Sequence, residues 1–122
     1  MNTVVFLTSD LLFQSRVASI ATAANVRLVA DRTPERLIAK LPEDSGVRVV
    51  MVDLTLEVGD LAIALGTLKD RCPGATTIAY GPHVHEAKLQ RAVEAGIDQV
   101  MTRGQFDRQM HSLLTNLDPR VE

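Results

Sequence analysis

Two aspartates, a few hydroxyls and one arginine are the residues of this chain whose types and placement could do chemistry. Asp53 closes the apolar run Val49-Val50-Met51-Val52, which has the continuity of a central parallel strand covered on both faces. In open parallel α/β sheets, ligands and reactive groups gather where such strands end. The same edge receives Ser9 and Asp10, then Leu54 and Thr55 after Asp53, then Tyr80 and Gly81, then Thr102 and Arg103. Paired carboxylates facing a cation suit Mg²⁺, which takes a few hard oxygen ligands plus water. An ionised aspartate there could also attack a phosphoryl group. Each residue has a plainer use as well. Ser9 or Asp10 can cap the helix that follows, Asp53 can bond a neighbouring loop, and Arg103 can pair with Asp53 or Asp10.

The elements that must position these groups alternate five times. Strands are predicted at Thr3–Thr8, Val26–Ala30, Val47–Asp53, Thr76–Tyr80 and Asp98–Thr102, with helical apolar spacing between them. The first helix gathers Phe13, Val17, Ile20, Ala21 and Ala24 on one face. The second opens on Thr33-Pro34, a hydroxyl cap and a proline at the first helical position, and carries Leu37, Ile38 and Leu41. The third offers Leu61, Leu65, Leu68 and Cys72 before Pro73-Gly74, and the fourth places Leu89, Ala92 and Val93 together and stops at Gly96. The fifth carries Phe106, Met110, Leu113, Leu114 and Leu117. Strict β-α alternation implies right-handed crossovers and a parallel sheet with helices on both faces; the pattern alone leaves the strand order open, and a five-stranded, doubly wound sheet in the flavodoxin-like order is the expectation. Residues 1–122 read as one domain, with Asp118 to Glu122 as a frayed tail.

Composition narrows the function. At 122 residues, with 46% hydrophobic and 23% charged residues, the chain can bury one ordinary core. A net charge of −2 and no Lys/Arg stripe give no electrostatic case for nucleic acid; Arg103, Arg108 and Arg120 are scattered. No run approaches the roughly 18 apolar residues of a membrane span, and no basic segment precedes the first apolar run. The lone Cys72 excludes an internal disulfide and fits a reducing, cytoplasmic setting. Its place on an apolar helical face makes it a core thiol.

Other chemistries find less support. His83 and His85 flank Val84 on the loop after the fourth strand, but a metal needs further ligands and His111 lies on the distant fifth helix. The loop Thr8-Ser9-Asp10-Leu11-Leu12 lacks the glycines of a phosphate-cradling turn, and Asp10 would repel an anion. With 3% aromatics and no Trp, little could stack on a flavin ring.

Asp53 at the end of the third strand, the alternation throughout, and Glu94-Ala95-Gly96 before the fifth strand give the whole chain a family resemblance. It resembles the CheY-like receiver domains of bacterial two-component response regulators. In that family the aspartate ending strand 3 takes a phosphoryl group from a histidine kinase, and an acidic pair after strand 1 holds Mg²⁺. A Ser/Thr ends strand 4, and a Lys on strand 5 contacts the phosphoryl oxygens.

The resemblance makes Asp53 the phospho-acceptor position and Asp10 with Asp53 the metal position. The acidic pair here is Ser9-Asp10, the strand 4 hydroxyl falls on Gly81, and the lysine on Arg103 followed by Gly104. The switch aromatic of strand 5 falls on Val100. Phosphoryl transfer needs positioning and charge neutralisation. Ser9 removes a metal-binding carboxylate, and Arg103 presents a planar fork in place of a compact ammonium. Gly81 and Val100 remove the groups that would sense and report the phosphoryl group.

The resulting expectation is an atypical, pseudo-receiver domain without enzymatic activity, requiring no cofactor and acting as a stand-alone interaction module. Its partner would be a signalling protein or histidine kinase. The resemblance points to the fourth helix, fifth strand and fifth helix as a partner or homodimer face, with Lys88, Arg91, Gln99 and Arg108 as contacts. The first alternative is a working single-domain response regulator phosphorylated on Asp53 with Mg²⁺. The second is a small-molecule sensor of the same fold.

Overall fold

A computed structural model describes residues 2–42 and 46–117; Arg120 and the expected tail from Asp118 to Glu122 lie outside them. Five strands run in parallel: β1 Thr3–Leu7, β2 Arg27–Asp31, β3 Val47–Asp53, β4 Thr76–Gly81 and β5 Gln99–Thr102. Their order is β2-β1-β3-β4-β5, the flavodoxin-like order expected. The intervening helices are α1 Leu11–Ala23, α2 Pro34–Ala39, α3 Leu61–Arg71, α4 Glu86–Glu94 and α5 Arg103–Thr115. No helix is long and apolar enough to cross a membrane among the described residues.

The strand period of two divides the core into two layers. Val5, Leu7, Val50, Val52 and Ala79 face one way, against α2, α3 and α4 through Leu37, Leu65, Leu68 and Ala92. Val4, Phe6, Val49, Met51, Ile78 and Tyr80 face the other, against α1 and α5 through Phe13, Val17, Phe106, Met110 and Leu114. Helix boundaries follow their caps. Thr33 Oγ1 accepts from the Arg36 N–H above Pro34, and Asp60 Oδ1 accepts from the Ile63 N–H at the start of α3.

Several strand limits differ from the sequence expectation by one residue. β2 begins at Arg27 because the Val26 N–H closes onto Ala21 O after α1. It continues to Asp31, which registers with Leu7. Thr8 leaves β1, although its N–H still bonds Asp31 O at 3.0 Å. β4 extends to Gly81 by pairing with Thr102. β5 starts after Asp98, whose carboxylate is drawn sideways onto the Thr77 N–H and hydroxyl at 2.8 and 3.1 Å. Leu117, expected on the last helical face, follows the end of α5 but still packs against the core.

Candidate functional site

The period that splits the core also aims the edge. Thr8 continues the face of Phe6, Asp53 that of Met51, and Tyr80 that of Ile78, so all three turn toward α1 and α5. Asp53 is 1% exposed and both its carboxylate oxygens are taken. Oδ2 accepts from the Thr8 hydroxyl at 2.8 Å. Oδ1 accepts from the Thr55 N–H at 3.0 Å and from the Thr55 hydroxyl at 2.7 Å, an Asx turn that folds the chain over its own side chain. Thr8 Oγ1 also accepts from the Asp10 N–H at 2.9 Å, tying the two acidic positions to one hydroxyl.

Asp10 is equally engaged. Oδ1 caps α1 by accepting from the Phe13 N–H at 3.0 Å, and Oδ2 accepts from Arg103 Nη2 at 2.8 Å. The Arg103 guanidinium lies over the Phe13 ring, 4.4 Å from its centroid, a cation–π contact a lysine would make less well. Of the two carboxylates open to Arg103 on sequence grounds, Asp10 is therefore the one it pairs with. Arg103 is also the first residue of α5, whose entry is fixed by a capping box between Thr102 and Gln105. Ser9 is exposed.

Beneath these groups lie all four aromatic residues of the chain, Phe6, Phe13, Tyr80 and Phe106. Tyr80 stacks on Phe106 at 4.2 Å with the planes 5° apart. Its hydroxyl is buried without a hydrogen-bond partner of good geometry among the described residues. Burial first, then the charge of Asp53, pushes the Tyr80 phenol well above its ordinary pKa; the nearby Thr8 hydroxyl and Arg103 offset this in part.

The remaining candidates are placed as follows. A Cβ on Gly81 would meet Leu54 Cβ at 3.3 Å and Leu89 Cδ2 at 3.7 Å, so a side chain there would point at α4, away from Asp53. Val100 is half-buried against the α2–α3–α4 layer. Lys88 and Arg91 turn toward the 54–61 loop, where Lys88 Nζ stands 3.6 Å from Glu57 Oε1. Both line a cleft beside that loop. Gln99 and Arg108 are exposed, on β5 and α5.

His83, His85 and His111 are exposed, and no group of three or more His, Cys, Asp or Glu able to hold a metal ion occurs among the described residues. Cys72 is buried, and burial pushes its thiol pKa up.

Thr8, a strand end and a loop hydroxyl by sequence, is a functional neighbour of Asp53 in the structure. Counting two from Phe6, as Asp53 is counted from Met51, would have set it opposite the acidic residue.

The fold is similar to that of response regulator receiver domains. One similar structure is a CheY-like receiver domain protein from Methanospirillum hungatei, 13% identical over 95% of each chain, with a TM-score of 0.70. Another is the beryllofluoride-activated NtrC4 receiver domain dimer, 14% identical over 95% of this chain and 98% of that one, TM-score 0.69. A third is a protein assigned to pilus assembly (cpaE) from Burkholderia thailandensis, 18% identical over 95% and 97%, TM-score 0.66. At these identities the likeness is one of fold. No family model and no curated protein matches the chain.

Proposed function

We propose that this chain is a pseudo-receiver: a signalling-type interaction module, without enzymatic activity, whose acceptor aspartate is held closed by the protein's own donors. The observation that carries the reading is the bonding of Asp53 and Asp10. Thr8 and Thr55 hold the first; the α1 N-terminus and Arg103 hold the second. A phosphoryl donor must reach an oxygen of Asp53, and the residue is 1% exposed beneath these contacts. Mg²⁺ would need carboxylate oxygens freed from their present donors, and Ser9 offers only an exposed hydroxyl in place of another carboxylate. These residues therefore fit a tightly held Mg²⁺ poorly.

Partner recognition then falls to surfaces outside the acidic edge. Receivers of this fold are found as a dimer and bound to the histidine phosphotransfer protein Ypd1 of Saccharomyces cerevisiae, which supports a protein partner or a second copy of this chain. The likeness to a pilus assembly protein supports a partner outside a phosphorelay equally well. The reading is tested by titrating the chain with beryllofluoride and Mg²⁺ while following backbone amide NMR signals. Unmoved signals at residues 8–10 and 53–55 are expected; saturable shifts there, lost in Asp53→Asn, would overturn it.

A second reading is favoured by one feature, the meeting of Asp53, two threonine hydroxyls and the Arg103 guanidinium on a single edge. If Thr8 and Arg103 swing away from their present partners, that edge becomes a phosphorylation site of a working response regulator. The same titration distinguishes the two.

A further inference from the structure

We propose that the outer edge of β2 is a self-association surface for a second copy of this chain, and that Lys40 holds it closed. β2 ends the sheet, so one side of its backbone has no neighbouring strand. The Arg27 N–H bonds Asn2 O, and Asp31 O accepts from the Thr8 N–H. Those bonds turn the backbone groups of Arg27, Val29 and Asp31 toward β1, and leave those of Leu28 and Ala30 pointing outward. An open edge of this kind is a template for another strand. Beside it, Ala18 and Thr22 of α1 are small, and a groove of about 520 Å³ runs over Leu28 and Ala30. Backbone and side chains of an incoming strand thus have room to reach the edge.

The strand is complementary to itself when reversed. With a two-fold axis through Val29, Leu28 lies opposite the second copy's Ala30, and every outward N–H meets an outward C=O. The same register sets Arg27 opposite the second copy's Asp31, on one face of the joined sheet. Arg27 is exposed, and its guanidinium has no hydrogen-bond or ion-pair partner among the described residues. An axis through Leu28 would call on the Val26 N–H, which already bonds Ala21 O, and would leave Arg27 without a carboxylate. Lys40 occupies both acceptors that the favoured register needs. Its ammonium donates to Ala30 O at 2.8 Å and stands 2.8 Å from Asp31 Oδ2. A second strand must displace that charge before it docks, the way a lysine blunts an open edge. Arg36 also faces Asp31, at 3.4 Å from Oδ1, but its side chain is 70% exposed and makes no bond to the strand backbone in the structure.

Lys40→Met removes the ammonium and keeps the aliphatic stem; Lys40→Ala is the second variant, read in the same way. Analytical ultracentrifugation of the full chain over a concentration series compares them with the wild type, after circular dichroism and a cooperative urea transition establish that each is folded. Self-association at least about tenfold tighter than that of the wild type is expected, the release of one charge-assisted hydrogen bond. The Leu28 and Ala30 amides should gain protection from hydrogen exchange in the associated species. Adding Arg27→Glu, which sets like charges opposite each other, should return the constant to the wild-type value, and Lys40→Arg, which keeps charge and donors, should match the wild type. Unchanged association in the folded variants, tighter association that survives Arg27→Glu, or free exchange of the Leu28 and Ala30 amides in the associated species would each overturn the proposal.

Discussion

The Thr8 hydroxyl donates to Asp53 Oδ2 across the β1–β3 pair at 2.8 Å, and both groups are shut away from solvent. Thr55 donates to the other oxygen, so both oxygens of the carboxylate at the head of the central strand have protein donors. That arrangement satisfies the polar atoms of a carboxylate at a position 1% exposed.

Replacing Thr8 by valine keeps the shape and removes the hydroxyl. Asp53 Oδ2 then loses its donor and the Asp10 N–H its acceptor. Thr8→Val is expected to lower unfolding stability by about 1–3 kcal/mol. Urea denaturation should show a lower midpoint with an unchanged slope.

Asp10 and Arg103 should behave as a coupled pair. Asp10→Ala removes the α1 cap and the ion pair together, at an expected cost of about 1–2 kcal/mol. Arg103→Ala removes the pair and the contact with Phe13. A double-mutant cycle on thermal or urea stability should return a coupling of about 0.5–1 kcal/mol that shrinks with added salt.

Restoring the receiver-type hydroxyl by Gly81→Ser should not restore a receiver site. The new Cβ would crowd Leu54 Cβ at 3.3 Å, and the side chain would enter the α4 side of the sheet. A loss of roughly 1 kcal/mol and an unchanged response to beryllofluoride are expected. Shifts around Asp53 that saturate with beryllofluoride only in this variant would refute the placement.

The acid and alkaline limbs of stability have separate origins. Hydrogen bonds from Lys40 and the Arg32 N–H hold the Asp31 carboxyl below its ordinary range, and the Thr77 N–H and hydroxyl do so for Asp98. A depressed folded pKa means the unfolded chain binds more protons. Their contribution is thus complete above the ordinary carboxylate value near 3.9 and is lost as pH falls through the lower folded values. For Tyr80 the folded pKa is raised, so above about pH 10 the unfolded chain releases a proton the folded one keeps, and stability falls. Since Tyr80 is the only tyrosine, absorbance of its phenolate should stay absent in the folded protein past pH 10. It should appear together with unfolding.

Much of this was legible from residue order. The continuous run before Asp53, the Thr33-Pro34 cap and the helical spacing of Phe13, Val17 and Ala21 each carry their own local physics, and the alternation implies a parallel sheet while leaving its strand order open. The edge was less legible because its outcome depends on competition between partners. Arg103 could reach either aspartate in principle; the ring of Phe13, one turn into α1, gives it a seat beside Asp10. Lys88 and Arg91 were grouped with Gln99 and Arg108 by family likeness. In the structure Lys88 and Arg91 line a cleft beside the 54–61 loop, a placement that depends on long-range packing of α4 and not on local spacing.

The central claim is that Asp53 is closed to phosphoryl transfer. Incubation of the chain with acetyl phosphate and Mg²⁺, followed by intact-mass measurement, tests it most directly. An unchanged mass is expected for the wild-type protein and for Asp53→Asn alike. A gain of one phosphoryl group in the wild type that disappears in Asp53→Asn would contradict it.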